Sequence, residues 1–269
     1  MIPSLPFAAS EFPEEVAAVL GTVQRLRYPP QGDTSALAIV EGTGGLYAVK
    51  RSRGERFSGW LRQEYQALCA LAQTPLPTPQ PYAFVQREEP GALESWLVME
   101  YLPGETLLAA IKQETDGAAR QNLLRAFGAV LAAIHSTPIP PALQGDGRPW
   151  LDTMLERAEY ALLHYPVDGN AALLEVLKQR RPQPVPPTLI HGDFTVDNVL
   201  VAAGKVTGII DWAGAGPGDP RYDLTLAIRP QPKGLFQEPS DQRAFFEGYG
   251  LADLSESEFD YFERLYEFF

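Results

Sequence analysis

The stretch Leu189 to Asp211, LIHGDFTVDNVLVAAGKVTGIID, constrains the fold more than any other part of the chain. Leu189 and Ile190 bring the chain in as a short buried strand, and His191-Gly192-Asp193 turns it. Val199-Leu200-Val201 runs out, Ala203-Gly204 turns, and Val206 to Ile210 returns, which is a hairpin pattern. The spacing predicts that the hairpin ends with Asp211 directed back to the loop carrying Asp193 and Asn198. Short, stiff elements would then deliver these polar side chains to one place.

Phosphoryl transfer needs such a set. It asks for an oriented hydroxyl, in-line geometry and magnesium to neutralise charge on the phosphates. A carboxylate facing the acceptor hydroxyl meets the first need, and Asn and Asp oxygens are hard ligands suited to Mg2+. Asp193, Asn198 five positions later, and an Asp after a hairpin follow the protein-kinase order of base, metal Asn and metal Asp. Bland readings exist for each part. An isolated His-Gly-Asp is commonly a turn whose Asp binds its own backbone, and an Asp after a strand is commonly a helix cap. The whole constellation, in order and in a strand–hairpin context, weighs against them. His191 reads as a buried structural histidine.

HGDFTVDN followed by IIDW resembles the aminoglycoside phosphotransferase and choline kinase-like family, the small-molecule relatives of protein kinases. That family has His-Gly-Asp where protein kinases have His-Arg-Asp. The resemblance implies that Asp193 is the catalytic base and that Asn198 and Asp211 hold Mg2+. It implies ATP or GTP as phosphoryl donor and a small-molecule hydroxyl as acceptor. The expected fold is α+β and protein-kinase-like, with two lobes. Residues 1–101 form an antiparallel-sheet N-lobe, and residues 102–269 a mainly helical C-lobe that carries catalysis and acceptor binding.

The order of elements agrees with this. Glu11 to Leu20 reads as a short helix capped by Ser10, and Thr22 to Tyr28, Ala36 to Glu41 and Leu46 to Arg51 read as strands. Gly32 to Ser35 falls where a kinase places its phosphate-covering loop, and backbone N–H groups up to Ser35 would hold phosphate oxygens. An ordinary hairpin loop fits that segment equally well. Tyr47-Ala48-Val49-Lys50 resembles the kinase strand whose lysine meets the nucleotide phosphates. In the helix Ser58 to Gln73, Glu64 falls on the apolar stripe with Leu61, Tyr65, Leu68, Cys69 and Ala72. A carboxylate there asks for a partner, and Lys50 is the expected one. Pro75 to Pro81 is a stiff, polyproline-like loop leading back to the sheet. Tyr82 to Arg87 and Trp96 to Tyr101 complete the sheet, with Pro90-Gly91 as the turn between them. Leu97 to Gly104 resembles the kinase hinge. Met99 would be the gatekeeper, and the Glu100 carbonyl and Leu102 N–H would meet the adenine edge.

Beyond Glu105 the pattern is helical: Thr106 to Lys112, Ala118 to Ser136, Asp152 to His164 and Asn170 to Arg181. His135 is expected to make a structural polar contact. The glycines after Asp211 mimic a dinucleotide fingerprint, but Asp219 stands where its third glycine would fall and Pro217 and Pro220 oppose a helix there. In the family's pattern, Asp219 and Asp223 would instead bind backbone groups and hold the catalytic loop. Tyr222 to Ile228 and Asp241 to Tyr249 should be helical, and Ser255 to Glu258 is a capping box opening a last helix. That helix bears the stripe Phe259, Phe262, Tyr266 and Phe269, which reads as core packing. A longer C-terminus and docking of this end into the active-site cleft both stay open.

Composition narrows the partners. The chain has 269 residues and a formal net charge of −12, which argues against nucleic-acid binding. Its single cysteine, Cys69, allows no internal disulfide and reads as a buried thiol in a reducing compartment. No apolar run reaches membrane-spanning length and no signal-peptide core is present, so a cytoplasmic protein is expected. The tail from Pro230 carries Glu238, Asp241, Glu247, Asp253, Glu256, Glu258, Asp260, Glu263 and Glu267. These carboxylates would suit a cationic acceptor such as an aminoglycoside, or form a solvated acidic face. A metabolic small-alcohol kinase and a pseudokinase that binds nucleotide without turnover are the alternatives. A metal-dependent hydrolase would need neither Lys50, Glu64 nor a hinge. Nothing in the sequence specifies an oligomeric state.

Overall fold

The computed structural model describes residues 6–29, 34–89, 91–229, 236, 238–250 and 253–269. The chain divides into two compact units, Met1–Pro103 with Gly208–Ala213, and Gly104–Thr207 with Gly214–Phe269.

In the first unit, helix α1 (Glu14–Leu20) starts after Pro13. The sequence reading began it at Glu11 with Ser10 as cap. Instead Ala9–Glu11 is a short 3-10 turn, and the Glu11 carboxylate accepts from Ala8 N at 2.7 Å and from Arg51 Nη1 at 2.9 Å. Strands β1 (Val23–Arg27), β2 (Ala36–Gly42) and β3 (Gly45–Arg53) precede helix α2 (Glu55–Leu71), and β4 (Pro81–Glu89) and β5 (Ala92–Glu100) follow it. The sheet is antiparallel in the order β1-β2-β3-β5-β4. On β2 the residues alternate, with Ala36, Ala38 and Val40 turned into a core shared with Val16, Leu20, Val49 and Trp96. The central strands β3 and β5 are buried over Tyr47–Ser52 and Glu94–Met99, as strands covered on both faces should be.

The buried stripe of α2 is Ser58, Leu61, Glu64, Ala67, Leu68 and Leu71. Cys69 is one position past it and is exposed, which corrects the expectation of a buried thiol. Helical spacing of three from Leu61 and then four more selects Glu64 and Leu68, and Cys69 follows Leu68 round to the solvent side.

The second unit begins with a two-residue strand, β6 (Glu105–Thr106), and helix α3 (Leu107–Gln113), capped by the Thr106 hydroxyl. Helices α4 (Gly117–Ser136), α5 (Trp150–His164) and α6 (Ala171–Gln179) follow, the first and last capped by Asp116 and Asn170. Strand β7 (Thr188–Ile190) leads to the hairpin β8 (Val199–Ala202) and β9 (Lys205–Ile209). Ala203 and Gly204 both have positive φ, 50° and 73°, as a two-residue hairpin turn requires. The false dinucleotide segment forms β10 (Gly216–Gly218), paired antiparallel with β7. The unit ends with α7 (Pro220–Ile228), α8 (Pro239–Tyr249) and α9 (Glu256–Tyr266). The Ser255–Glu258 capping box opens α9 as the sequence suggests.

Helix α4 lies on α8 at close range. A Cβ on Gly128 would come within 2.0 Å of the Phe245 carbonyl oxygen, and one on Gly248 within 2.0 Å of the Arg125 carbonyl oxygen. These glycines permit the approach that brings Phe127, Phe194 and Phe245 into ring contact beneath the loop after β7. Among the described residues, no helix is long and apolar enough to cross a membrane.

Candidate active site

The residues singled out from the sequence fall into two groups, one in each unit. In the first unit, the register of β3 against β5 sets Lys50 opposite Leu97, with α2 packed on these strands. Lys50 Nζ donates to Glu64 Oε1 at 2.6 Å and Oε2 at 2.8 Å, and also to Asp211 Oδ1. Lys50 and Glu64 are 7% and 4% exposed. Burial works against the ammonium, but the Asp211 and Glu64 carboxylates together outweigh it and hold Lys50 above the ordinary lysine value. Burial also pushes Glu64 up, Lys50 opposes it, and the negative charge of Asp211 adds to the rise. With two carboxylates facing one ammonium, the trio favours a protonated Lys50.

Asp211 is held in an unusual backbone state. Its φ is +66°, in the left-handed region that Asp tolerates better than most residues. The turn is fixed from both sides. Ile209 N donates to Pro77 O at 2.9 Å, and the buried Trp212 indole Nε1 donates to Ile209 O at 2.9 Å. The stiff proline-rich loop therefore anchors the strand end that presents Asp211. A non-glycine residue kept at positive φ is a conformation that must be supported by its surroundings, and such positions concentrate at functional sites.

The expected nucleotide contacts lie in the same unit. Met99 is buried on β5 between Ala48 of β3 and Pro81 of β4. Glu100 N donates to Gln80 O at 2.8 Å, so β5 stays tied to the preceding loop up to Glu100. Leu102 follows outside any strand or helix and packs beside Gly208. Ser35 is buried at the start of β2, while Gly32 and Asp33 of the proposed phosphate loop, and Pro90 of the β4–β5 turn, lie outside the described residues.

In the second unit, Asp193 and Asn198 share one tight loop. Asn198 Nδ2 donates to the Asp193 carbonyl at 2.8 Å and to Asp193 Oδ2 at 3.0 Å. The loop's backbone is held by Asp223, which is fully buried and accepts from His191 N at 2.6 Å and Gly192 N at 2.9 Å. His135 extends this support, with Nε2 3.3 Å from Asp223 Oδ2 and Nδ1 2.8 Å from the Tyr249 hydroxyl. His191 is wholly buried, and its Nδ1 accepts from Asp193 N at 3.2 Å, the structural role read from the sequence. Gly192 has φ +81° and sits so close to Gly214 that a Cβ would fall 2.5 Å from its carbonyl oxygen.

Asp219 departs from expectation. It caps α7 by accepting from Arg221 N at 3.0 Å and pairs with the Arg221 guanidinium at 2.6 Å. Arg221 reaches Glu258 at 2.7 Å as well, so Asp219 braces α7 against the start of α9, and the Asp193 loop is left to Asp223. A short acidic side chain directly before Pro220 is placed to cap the helix that proline begins. The sequence reading also missed Tyr266, whose hydroxyl donates to Asp193 Oδ1 at 3.3 Å. The aromatic stripe of α9 was visible, but spacing alone does not tell which ring carries its hydroxyl to a charge.

The donor set suits magnesium. The Asn198 amide nitrogen is committed to Asp193, which leaves Oδ1 as its acceptor end; in the other unit Asp211 carries carboxylate oxygens, one of them bound to Lys50. Among the described residues no cluster of three His, Cys, Asp or Glu side chains could hold a metal. Mg2+ characteristically takes one or two protein ligands and completes its shell with phosphates and water.

The match to known proteins runs along nearly the whole chain. The model of the phosphotransferase enzyme family matches residues 10–264. An aminoglycoside 3'-phosphotransferase of Niallia circulans is 28% identical over 284 residues, covering 96% of this chain and 97% of the relative. The crystal structure of an aminoglycoside-3'-phosphotransferase of type VIII superposes with a TM-score of 0.74 at 23% identity, covering 91% of this chain and 94% of the other. A thermostable aminoglycoside phosphotransferase mutant in complex with ADP and hygromycin B gives 0.66 at 20% identity, over 93% and 86%. The fold is thus the protein-kinase-like, two-lobed α+β fold expected from the sequence. By the extent of this match the chain belongs to the phosphotransferase enzyme family, and it is an O-phosphotransferase acting on small molecules.

Proposed function

We propose that the chain transfers the terminal phosphoryl group of ATP or GTP to a hydroxyl of an aminoglycoside-type acceptor, with Mg2+, and so inactivates an antibiotic in the cytoplasm. The observation that supports this reading most is the buried Lys50–Glu64 pair joined to Asp211 at left-handed φ. A fold alone has no need to bury the Lys50–Glu64 ion pair, since apolar residues of similar volume stabilise as well or better. The names of the similar proteins supply the acceptor class.

In the proposed reaction Asp193 takes the proton of the acceptor hydroxyl. The freed oxygen attacks the terminal phosphorus, and the bond to the bridging oxygen breaks to leave the nucleoside diphosphate. Lys50, aligned by Glu64, meets the nucleotide phosphates. Glu100 O and Leu102 N receive the base beside Met99, and the backbone near Ser35 covers the phosphates. Asn198 and Asp211 would hold Mg2+, which would supply neutralisation of charge on the transferring group.

A cationic acceptor would be held by carboxylates of the last two helices. Of the nine acids counted on from the sequence, Asp241, Glu247, Glu258 and Asp260 pair with Arg120, Arg125, Arg221 and Arg264. The role therefore falls on others, such as Glu256, Glu263 and Glu267. The test is a product-mass screen with ATP and GTP against aminoglycosides, macrolides, choline and small sugars. A phosphorylated aminoglycoside, with a KM that rises with ionic strength, is expected. A neutral best acceptor with a salt-insensitive KM would remove the cationic reading, and phosphate release without any phosphorylated product would remove the transferase reading.

A further inference from the structure

Both carboxylate oxygens of Asp193 have a donor. Asn198 Nδ2 holds Oδ2 at 3.0 Å and the Tyr266 hydroxyl holds Oδ1 at 3.3 Å. Asn198 belongs to the same loop, but Tyr266 comes from the end of α9, 73 positions away. Its position is well determined. On one side Phe262 and Leu265 are fully buried, and the Tyr261 hydroxyl donates to Leu177 O at 3.1 Å. On the other side the Glu267 carbonyl accepts from Asp168 N at 3.1 Å and Gly169 N at 3.0 Å, and Phe268 is fully buried. The Arg229 guanidinium lies 4.7 Å from the centre of the Tyr266 ring.

From this geometry, and resting on Asp193 as the base, we propose that Tyr266 is a positioning residue whose hydroxyl stands in for the acceptor hydroxyl on Asp193 and keeps water from that place until an acceptor arrives. A kinase for small molecules faces this problem acutely. Water is always present, and any water that donates to the base can lose its proton there, attack the terminal phosphorus and release nucleoside diphosphate and inorganic phosphate. A phenol on the base removes that opportunity. Its oxygen is attached to a partly buried ring packed against the core, so it donates a hydrogen bond without being free to travel along an attack path.

The bond's length fits a place-holder. At 3.3 Å it is longer than the usual O–H···O distance of about 2.7–2.8 Å, so an acceptor hydroxyl that reaches normal distance displaces it at little cost. The phenol also remains a donor. Burial, with the Asp193 charge adding to it, holds Tyr266 far above the ordinary tyrosine value.

The test measures nucleotide hydrolysis by the full chain with MgATP and no acceptor. Tyr266→Phe keeps the ring and loses the hydroxyl. It should raise acceptor-independent hydrolysis about fivefold, leave the KM for ATP unchanged and lower the ratio of transfer to hydrolysis. If Tyr266→Phe proves unstable in thermal melts, Tyr266→Met fills the space without a hydroxyl and should behave alike. Tyr222→Phe, which removes a hydroxyl from the ring 6.4 Å away, should change nothing. Hydrolysis unchanged or reduced in both Tyr266 variants would overturn the proposal, and so would phosphate found on Tyr266 after incubation with MgATP. Asp193→Asn separates the two levels. If it abolishes transfer while the Tyr266 variants hydrolyse normally, only the place-holder fails. If it retains transfer, the reading of Asp193 as base fails instead.

Discussion

The two groups of candidate residues, one in each unit, are supported in opposite ways. Lys50, Glu64 and Asp211 satisfy one another through charge, side chain to side chain. The Asp193 loop is held through its backbone, with one buried carboxylate, Asp223, receiving the N–H groups of His191 and Gly192. The difference is one of what a substitution leaves behind. Removing Lys50 strands the buried Glu64 carboxylate, whereas removing Asp223 strands neutral N–H donors and frees a loop. The first arrangement fixes where a charge sits, and the second fixes the shape of a turn.

Predictions follow that order of severity. Lys50→Met should cost about 3–5 kcal/mol in urea unfolding, since Glu64 is left buried and unpaired. The stabilisation from Lys50 also has a definite pH sense. Its folded value lies above its unfolded one, so the contribution is full below the ordinary lysine value and is lost only as pH rises through the folded value. The stability gap between the native protein and Lys50→Met should therefore not narrow from neutral to mildly alkaline pH. A gap that closes over that range would mean that Lys50 is not held charged. Next, Asp223→Ala should cost about 2–3 kcal/mol and lower kcat at least about tenfold, with the KM for nucleotide little changed. A larger loss of stability than in Lys50→Met would reverse the comparison. His135→Ala should have the smallest effect, about 1–2 kcal/mol, because Asp223 keeps both backbone donors when the imidazole is gone. Should it match Asp223→Ala, the support of the loop runs through the imidazole and not through the backbone.

Legibility in the sequence follows the same division. The Lys50–Glu64 pair could be read because a carboxylate on an apolar helical stripe must find a cation, and strand order supplied one. The hairpin that delivers Asp211 could be read from Ala203-Gly204 between two apolar runs. Asp223 was recognised through the family pattern, but Asp219 was assigned the same task and does another, since nothing in GDPRYD separates a helix cap from a loop anchor. Cys69 was misplaced because a broad apolar stripe does not fix its own edge to within one residue. Tyr266 escaped notice because its contact with Asp193 depends on how α9 packs, and a stripe of aromatics reads only as core.

The proposed action of Asp193 on the acceptor hydroxyl is best tested by turnover of Asp193→Ala, measured beside its nucleotide affinity. A loss in kcat of about a hundredfold to ten-thousandfold is expected, with nucleotide binding essentially unchanged. An Asp193→Ala enzyme that phosphorylates its acceptor at near the native rate would contradict it.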